Sequence, residues 1–278
     1  MLANNHWRCG NFSFDLDEPV IMGVINVTPD SFSDGGVFID TELALEQARR
    51  MLADGAQIID VGGESTKPGA DAVAITEELA RVLPVVSELA REGAAVSIDT
   101  RHVEVASAAV EAGACIINDV TGFRDPEMRR LAADQGVGCV IMHMLGDPTN
   151  MQIDPRYDDV VAEIRSFLLG QAELLIGDGV AADCICIDPG PGFGKTYDHN
   201  LALLKATAEL SSLGYPLMAA YSRKGFIGKL TGVEVPAQRV AGSVAVEVWA
   251  ASQGARVLRV HDVKPTVEAL RVWQALRG

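Results

Sequence analysis

The chain of 278 residues is 48% hydrophobic and carries a formal net charge of −15 at pH 7. This length suits one large α/β domain, and the strong negative charge argues against a protein that binds the phosphate backbone of nucleic acids. The opening sequence MLANNHWRCG has no apolar segment of the kind found in signal peptides, and no apolar run is long enough to cross a bilayer. We therefore expect no nucleic-acid partner and no membrane.

The cysteine pattern favours a reducing compartment. The five cysteines are odd in number and include no Cys-x-x-Cys pair. Four of them lie in apolar, strand-like runs: Cys115, Cys139, Cys184 and Cys186. Buried free thiols fit this pattern better than disulfides or a zinc site. The prediction is a cytoplasmic protein.

Apolar runs and amphipathic stretches alternate along the chain. The apolar runs predict strands at 21–27, 57–63, 94–99, 114–120, 138–143, 184–188, 216–221 and 255–260. Stretches with helical periodicity follow at 41–54, 74–92, 102–112, 126–135, 158–176, 200–212, 237–253 and 265–277. All but the last of these helices are followed by a glycine suited to the left-handed residue that closes a helix: Gly55, Gly93, Gly113, Gly136, Gly179, Gly214 and Gly254.

This alternation predicts the fold. Strands that are apolar almost throughout are typical of parallel strands covered on both faces. The strand–helix units favour a single α/β domain over residues 1–278, folded as a closed (β/α)8 barrel, the TIM barrel. A doubly wound open sheet is the alternative, because the number of units does not by itself show that the sheet closes.

Each predicted strand runs into polar residues, whereas the opposite strand ends are mostly Gly, Ala, Val or Cys. In (β/α)8 barrels active sites form at the carboxyl ends of the strands. The residues after the strands are Asn26, Glu64, Ser65, Thr66, Lys67, Asp99, Thr100, Arg101, Asn118, Asp119, His143, Asp188, Ser222, Arg223, Lys224, His261 and Asp262. The asymmetry predicts an active site at that end of the barrel.

The segment 188–195, DPGPGFGK, is similar to a phosphate-binding loop in composition but not in spacing. A Walker A loop has Gly five places before its Gly-Lys pair, and Pro189 occupies that place. Pro189 and Pro191 also lack the N–H groups that such a loop uses. We interpret the segment as a stiff loop that aims Asp188 and leans Phe193 over a flat ligand.

Basic residues near the last two strands suggest an anion site. In 255–262, ARVLRVHD, Arg259 and His261 share one face of the predicted strand and point into the barrel mouth if the apolar residues face the helices. The partner of a buried Arg259 is then a protein carboxylate or an anionic ligand. The sequence SRKG at 222–225 suits either the start of an anion-binding helix or an exposed basic cluster.

Three further polar residues leave alternatives open. His143 follows an apolar run, which fits a hydrogen-bonded core histidine at least as well as a catalytic one. Asp99 and Asp188 suit acid–base catalysis, metal ligation or the acceptance of hydrogen bonds from a neutral heterocycle. No HxH or HExxH pattern supports a tight transition-metal site.

Several motifs stand in order along the chain: INVTPDSFSDGG, DVGGESTKPG, SIDT, INDVTG, DPGPGFGK, SRKGFIG and RVHDV. From about Val20 to the end, the sequence resembles the dihydropteroate synthases of the folate pathway. The resemblance implies that 6-hydroxymethyl-7,8-dihydropterin diphosphate and 4-aminobenzoate give 7,8-dihydropteroate and pyrophosphate, with Mg²⁺ as cofactor. It also implies a homodimer, which the apolar helical stretches 244–251 and 267–276 allow.

The resemblance implies residue roles as well. The family's pterin site matches Asp99, Asn118, Asp188 and Lys224. Its diphosphate site matches Thr66, Arg259 and His261, with Asn26 as a Mg²⁺ ligand. Its aminobenzoate site matches residues 30–32 and Thr66, Lys67, Pro68, Phe193, Ser222 and Arg223. The catalytic residues are expected to be Lys224, Arg259 and His261.

The resemblance further implies a mechanism in which the pterin C–O bond breaks early and the arylamine then attacks the methylene carbon. No covalent enzyme intermediate is needed, which agrees with the lack of a Ser-His-Asp or Cys-His arrangement. Lys67 stands where the family more often has Arg, so a bidentate contact with an anion is lost there. The alternatives are a pterin-binding methyltransferase-type barrel, which has no use for the SRKG segment, and a non-catalytic barrel protein.

Overall fold

The structure, a computed structural model, describes residues 5–27, 37–64, 73–147 and 149–277, with residues 37–40 as backbone only. The strands are β1 His6–Cys9, β2 Phe12–Asp15, β3 Val20–Asn26, β4 Ile58–Gly62, β5 Ala95–Asp99, β6 Ile116–Asp119, β7 Gly138–Met142, β8 Ile185–Asp188, β9 Met218–Ala219 and β10 Val257–Val260. The helices are α1 Val37–Ala53, α2 Ile75–Arg91, α3 Val103–Glu111, α4 Pro126–Gln135, α5 Val160–Gly177, α6 Tyr197–Lys205, α7 Thr207–Leu210, α8 Gly225–Thr231, α9 Val240–Ser252 and α10 Val263–Arg277.

Strands β3 to β10 form a parallel barrel. Their order is β8-β7-β6-β5-β4-β3-β10-β9, and every neighbouring pair is parallel. A parallel bridge between Ile187 of β8 and Leu217, just before β9, joins the two ends of this order. The predicted (β/α)8 barrel is confirmed, and the doubly wound open sheet is wrong because such a sheet would keep two free edges.

The strands are apolar on both faces because each face packs against a different core. Ile59 and Ile98 belong to the apolar cluster that includes the inward sides of the helices, such as Val82 of α2. Met22 and Ile58 belong to a second cluster at the barrel's lower end. All the predicted helix-closing glycines have positive φ, from 62° at Gly136 to 111° at Gly113.

Two helical predictions differ from the structure in detail. The predicted helix 200–212 is divided into α6 and α7, and the Thr207 hydroxyl donates to the carbonyl of Leu204 at 2.7 Å beside the break. The predicted helix 237–253 begins as a 3-10 turn at Pro236–Gln238 before α9. The SRKG segment leads directly into the short helix α8, as the sequence suggested.

An antiparallel hairpin, β1–β2, precedes the barrel and was missed from the sequence. It closes the end opposite the strand carboxyl termini: Trp7 and Leu16 are fully buried in the lower cluster. The Trp7 indole N–H donates to the carbonyl of Cys184, just before β8, at 2.9 Å. An alternation of Trp7 and Cys9 with polar neighbours was the available signal, but four residues are too few to separate a strand from a loop.

The five cysteines are buried free thiols, as predicted: Cys9, Cys115, Cys139, Cys184 and Cys186. None of the helices that the structure describes is long and apolar enough to cross a membrane.

Candidate active site

Polar side chains gather at the carboxyl end of the barrel. In β4 the inward position two residues after apolar Ile58 is Asp60. In β8 the inward position two residues after Cys186 is Asp188. The predicted residues at this end are Asn26 of β3, Asp99 of β5, Asn118 of β6, Asp188 of β8, Arg259 of β10, Ser222 and Lys224 beyond β9, and His261 beyond β10. These charges lie close together, since the Arg259 charge alters the pKa values of Asp99, Asp188 and Lys224.

Arg259 lies at the centre of this mouth. Its Nε donates to Asp60 Oδ2 at 2.6 Å, and its Nη2 donates to Asp99 Oδ2 at 2.5 Å. The structure thereby answers the question left open by the sequence, because the partners of Arg259 here are protein carboxylates. Burial raises the pKa of Asp99 to about 7, although the Arg259 charge acts in the opposite direction.

Asp60 is a site residue that the sequence analysis missed. It is fully buried, and its Oδ2 also accepts a hydrogen bond from Asn118 Nδ2 at 3.1 Å. Its Oδ1 has no hydrogen-bond partner among the described residues. A carboxylate in the middle of the otherwise apolar run 57–63 was the available signal, because such a group is buried only where cations or amides satisfy it.

The loop after β8 presents Asp188 and uses its own N–H groups internally. The Gly190 N–H donates to Asp188 Oδ1 at 2.7 Å, and the Gly192 N–H donates to Asn200 Oδ1 at 2.7 Å. Gly190 has φ 64°, and a Cβ there would lie 2.0 Å from the His143 carbonyl oxygen. These N–H groups are therefore not free to bind a phosphate, so the rejection of a Walker A loop is supported. Burial raises the pKa of Asp188, and the neighbouring cations oppose that shift.

His143 is a hydrogen-bonded core residue. The Lys195 ammonium lies 3.0 Å from His143 Nδ1 and donates to the carbonyls of His143 and Phe193 at 3.1 and 2.9 Å. Burial and the Lys195 charge lower the pKa of His143 to about 3, so the ring is neutral at pH 7. Burial lowers the pKa of Lys195 to about 7. This pair fixes the end of the 188–195 loop against β7.

Lys224 and Phe193 form one wall of the mouth. Lys224 Nζ lies 4.3 Å from the centroid of the Phe193 ring, in a cation–π contact. Gly192 allows this approach, because a Cβ there would lie 3.3 Å from Lys224 Cδ. Burial lowers the pKa of Lys224 to about 8, while Asp188 and Asp99 act to raise it. A flat ring and an ammonium group are thus brought together.

Ser222, Arg223 and His261 form the adjoining wall. Ser222 Oγ lies 3.1 Å from His261 Nδ1 and accepts from the His261 backbone N–H at 3.2 Å. The Arg223 guanidinium pairs with Asp262 through contacts of 2.9 and 2.6 Å. Ser222 is buried and Arg223 is partly buried. The alternative of an exposed basic cluster is therefore wrong.

Other polar residues after the strands do not join the mouth. Asp119 accepts hydrogen bonds from the backbone N–H groups of Thr121 and Phe123 at 2.7 and 2.8 Å and so shapes its own turn. Arg101 forms a two-point contact with Glu64, both distances being 2.9 Å. These residues support the loops around the site.

Some predicted site residues lie outside the described part of the chain: residues 30–32, Thr66, Lys67 and Pro68. Glu64 and Val73 are the described residues on either side of 65–72. The backbone N–H of Val73 donates to a Glu64 carboxylate oxygen at 3.2 Å.

Asn26, the predicted Mg²⁺ ligand, carries one amide oxygen at the end of β3. The described residues include no group of three or more His, Cys, Asp or Glu side chains that would hold a metal by themselves. Gly62 pairs with Asn26 in the barrel, and a Cβ there would lie 3.7 Å from Asn26 Oδ1 and 3.5 Å from Asp99 Cβ. A single amide oxygen fits Mg²⁺, which takes oxygen ligands and keeps waters and phosphate oxygens as its other ligands.

A (β/α)8 barrel with a buried carboxylate, amide and lysine at its mouth matches one class of proteins. A sequence profile for pterin-binding enzymes matches residues 22–261. The chain is 47% identical, over 279 residues, to the dihydropteroate synthase of Neisseria meningitidis serogroup C, with 99% of each chain covered. The chain belongs to the dihydropteroate synthase family, whose members are transferases.

Solved structures agree with this assignment. The dihydropteroate synthase of Xanthomonas albilineans with 4-aminobenzoic acid superposes with a TM-score of 0.94 at 46% identity, covering 99% of both chains. The same organism's enzyme in complex with 7,8-dihydropteroate gives a TM-score of 0.90 at 44% identity, covering 98% of this chain and 99% of that one. The resemblance to dihydropteroate synthases and the expectation of a transferase are confirmed.

Proposed function

We propose that this barrel joins 4-aminobenzoate to 6-hydroxymethyl-7,8-dihydropterin diphosphate, giving 7,8-dihydropteroate and pyrophosphate. The observation that carries the proposal is the convergence of Asp99, Asp188, Lys224 and Arg259 at one mouth, where their charges shift one another's pKa. The structures of relatives with 4-aminobenzoic acid and 7,8-dihydropteroate support these substrates.

The pterin is proposed to lie between Asp188, Asn118, Asp99 and Lys224. A pterin edge offers an amino group and a ring N–H, so it needs carboxylate acceptors, while its ring nitrogen and oxygen acceptors need donors such as Asn and Lys. Asp188 and Asn118 are almost fully buried. Hydrogen bonds to such groups are stronger than in water, because water does not compete for them.

The diphosphate is proposed to lie against Arg259 and His261, with Thr66. Arg259 Nη1 makes no hydrogen bond with the described residues, while Nε and Nη2 are held by Asp60 and Asp99. The two carboxylates thus fix the plane of the guanidinium and leave an edge for a phosphate oxygen. Asn26 would hold the Mg²⁺. When bound, the ion would neutralise charge on the departing diphosphate.

The aminobenzoate is proposed to lie near Phe193, Ser222 and Arg223, with residues 30–32, Lys67 and Pro68. The Phe193 ring offers a flat apolar surface to the aromatic ring. The contact between Ser222 and His261 links this site to the diphosphate site, so the two substrates meet at one wall.

In the proposed reaction the pterin methylene–oxygen bond breaks, and its electron pair leaves with the diphosphate. The amine nitrogen of 4-aminobenzoate donates its lone pair to the methylene carbon and then loses a proton to solvent. Lys224, Arg259 and His261 are the catalytic residues of the proposal: Lys224 orients the pterin, and the other two stabilise the departing charge. No nucleophilic side chain is required.

The protein is proposed to act as a cytoplasmic homodimer. The five buried free thiols fit a reducing compartment. Helices α9 and α10 leave apolar side chains exposed, with Trp249 at 49%, Val272 at 63% and Leu276 at 82%. Sedimentation of the protein and of its Val272→Glu variant tests the dimer. We expect the wild type to have the mass of a dimer and the variant that of a monomer, and equal masses for the two would contradict an interface there.

Pyrophosphate release from the pterin diphosphate, measured with and without 4-aminobenzoate, tests the reaction. We expect release to depend on the amine and 7,8-dihydropteroate to form in equal amount. A pterin-binding methyltransferase-type barrel would release none, and a non-catalytic barrel would bind the pterin without turnover. Amine-independent release or no release would overturn the proposal.

A further inference from the structure

The segment from Tyr221 to Lys224, which follows β9, contains a strained residue. Arg223 has φ 60°, a left-handed conformation that is unfavourable for a residue with a long side chain. Among the described residues, Phe123 and Asp154 are the other non-glycine residues with positive φ. A strained residue at a functional site persists only where its surroundings fix it from several sides.

The start of helix α9 binds both backbone polar groups of Arg223. Ser243 Oγ accepts from the Arg223 N–H at 2.9 Å, and Arg239 Nη1 donates to the Arg223 carbonyl at 2.8 Å. Ser243 and Arg239 are also joined to each other, because the Ser243 hydroxyl donates to the Arg239 carbonyl at 2.7 Å. Gly228 makes room for this arrangement, since a Cβ there would lie 2.7 Å from Arg239 Nε.

One turn further along α9, Glu247 binds the same segment. It is buried, and its Oε1 accepts from the Tyr221 N–H at 3.0 Å. Its Oε2 has no hydrogen-bond partner in the part of the chain that the structure describes. Residues four apart share one face of a helix, so Ser243 and Glu247 present adjacent acceptors to successive parts of one loop.

The segment held in this way carries three site side chains. Ser222 Oγ contacts His261 Nδ1 at 3.1 Å, Arg223 pairs with Asp262, and Lys224 Nζ lies 4.3 Å from the centroid of the Phe193 ring. Asp188 and Asn118 are instead carried by the barrel strands and do not depend on α9.

We propose that Arg239, Ser243 and Glu247 are positioning residues that hold Ser222 and Arg223 in the geometry needed for the second substrate. The inference rests on the proposed function, in which Ser222 and Arg223 lie beside 4-aminobenzoate. Loosening the segment should therefore raise the KM for 4-aminobenzoate and lower kcat, while pterin affinity, set mainly by the strands, changes little.

The test uses steady-state kinetics and pterin binding on full-length variants. Ser243→Ala removes the acceptor of the Arg223 N–H, and we expect the KM for 4-aminobenzoate to rise about tenfold with the pterin Kd within about threefold. Glu247→Leu removes the acceptor of the Tyr221 N–H and should act in the same direction. Glu247→Gln keeps an acceptor oxygen and should restore values close to those of the wild type.

Ser252→Ala is the matched control, because the Ser252 hydroxyl is exposed on the same helix and donates only to its own turn, at Trp249. We expect it to leave the KM unchanged. A lowered melting temperature with unchanged KM in Ser243→Ala would overturn the positioning role, as would equal losses in the Glu247→Gln and Glu247→Leu variants. Absence of amine-dependent turnover in the wild type would instead overturn the proposed function, so the two failures are distinguishable.

Discussion

The two ends of the barrel are built from the same strands but have opposite chemistry. At the lower end the inward positions are apolar, as at Ile58, Ile116 and Val257, and the β1–β2 hairpin covers them. Two residues further along the same strands, the inward positions are Asp60, Asn118 and Arg259.

The difference shows how the molecule separates stability from function. Buried apolar groups such as Ile58 stabilise the fold without any need for hydrogen-bond partners. Buried charges such as Asp60 lose hydration and have to be satisfied by precise neighbours. The lower end should therefore tolerate conservative apolar changes, while the mouth should respond to the loss of a single partner.

The largest effect is expected from Arg259→Ala. The change removes the cation that is hydrogen-bonded to buried Asp60 and Asp99, so we expect the free energy of unfolding to fall by about 3 to 5 kcal/mol. The anion contact is lost as well, and kcat/KM should fall by about a thousandfold. Denaturant unfolding and pyrophosphate release measure the two losses.

Arg259→Lys is the control for that change, because it keeps the charge but loses the two-point geometry, and it should give intermediate losses. In Arg259→Ala, affinity for the pterin diphosphate should fall far more than affinity for the free pterin. Equal weakening of both would show that Arg259 does not bind the diphosphate.

Trp7→Ala is expected to lower stability about as much as Arg259→Ala but to leave activity unchanged. Removing a fully buried indole and its hydrogen bond to Cys184 should lower the free energy of unfolding by about 3 to 5 kcal/mol. The kcat of the folded protein should not change, because the hairpin lies at the far end of the barrel. Phe12 of the same hairpin is only partly buried, so Phe12→Ala is the matched control and should lower the free energy of unfolding by less. A fall in kcat at temperatures where Trp7→Ala is folded would show that the two ends are coupled.

Asp188→Ala is expected to weaken pterin binding by about a hundredfold, because the ring donors lose a buried acceptor. Stability should fall by less than in Arg259→Ala, because the change leaves no buried carboxylate without its cation and removes only the acceptor of the Gly190 N–H. Asp188→Asn keeps one acceptor oxygen, so its affinity for the pterin should lie between those of the wild type and Asp188→Ala. Calorimetric titration with the free pterin measures these affinities, and an unchanged value for Asp188→Ala would contradict the assignment.

The last prediction concerns stability at acid pH, and at pH 7 it is the smallest of these effects. The pKa of His143 is lowered from 6.5 to about 3, so the unfolded chain takes up a proton that the folded protein does not. Stability should therefore fall as the pH is lowered from 6.5 towards 3. His143→Gln should give a shallower fall. Equal slopes for wild type and His143→Gln, measured by urea unfolding, would contradict this account.

The sequence was sufficient for the architecture because local patterns determine it. Apolar runs and helix-closing glycines such as Gly113 are local signals, and they identified every barrel strand. The convergence of Asp188 and Arg259 was also predictable, because the carboxyl ends of parallel strands meet at one edge of the barrel.

The pairing inside the mouth was not predictable in the same way. Arg259 is 199 residues away from Asp60 along the chain, and only the closed barrel makes them neighbours. The support of Arg223 by Ser243 and of Tyr221 by Glu247 depends on how α9 is rotated against β9, and no local pattern encodes that rotation. The hairpin was missed because its strands are only four residues long.

The placement of the cysteines has a consequence for chemical probes. All five are buried, and Cys9, Cys115 and Cys186 belong to the lower cluster, where burial raises the pKa of each thiol. Four lie at the amino-terminal ends of barrel strands and Cys9 lies in the hairpin that covers that end, so an electrophilic inhibitor designed to alkylate a thiol would find no target among them at the mouth. The same separation makes the thiols natural reporters: a maleimide label would register the opening of the hairpin end while turnover at the mouth is followed independently.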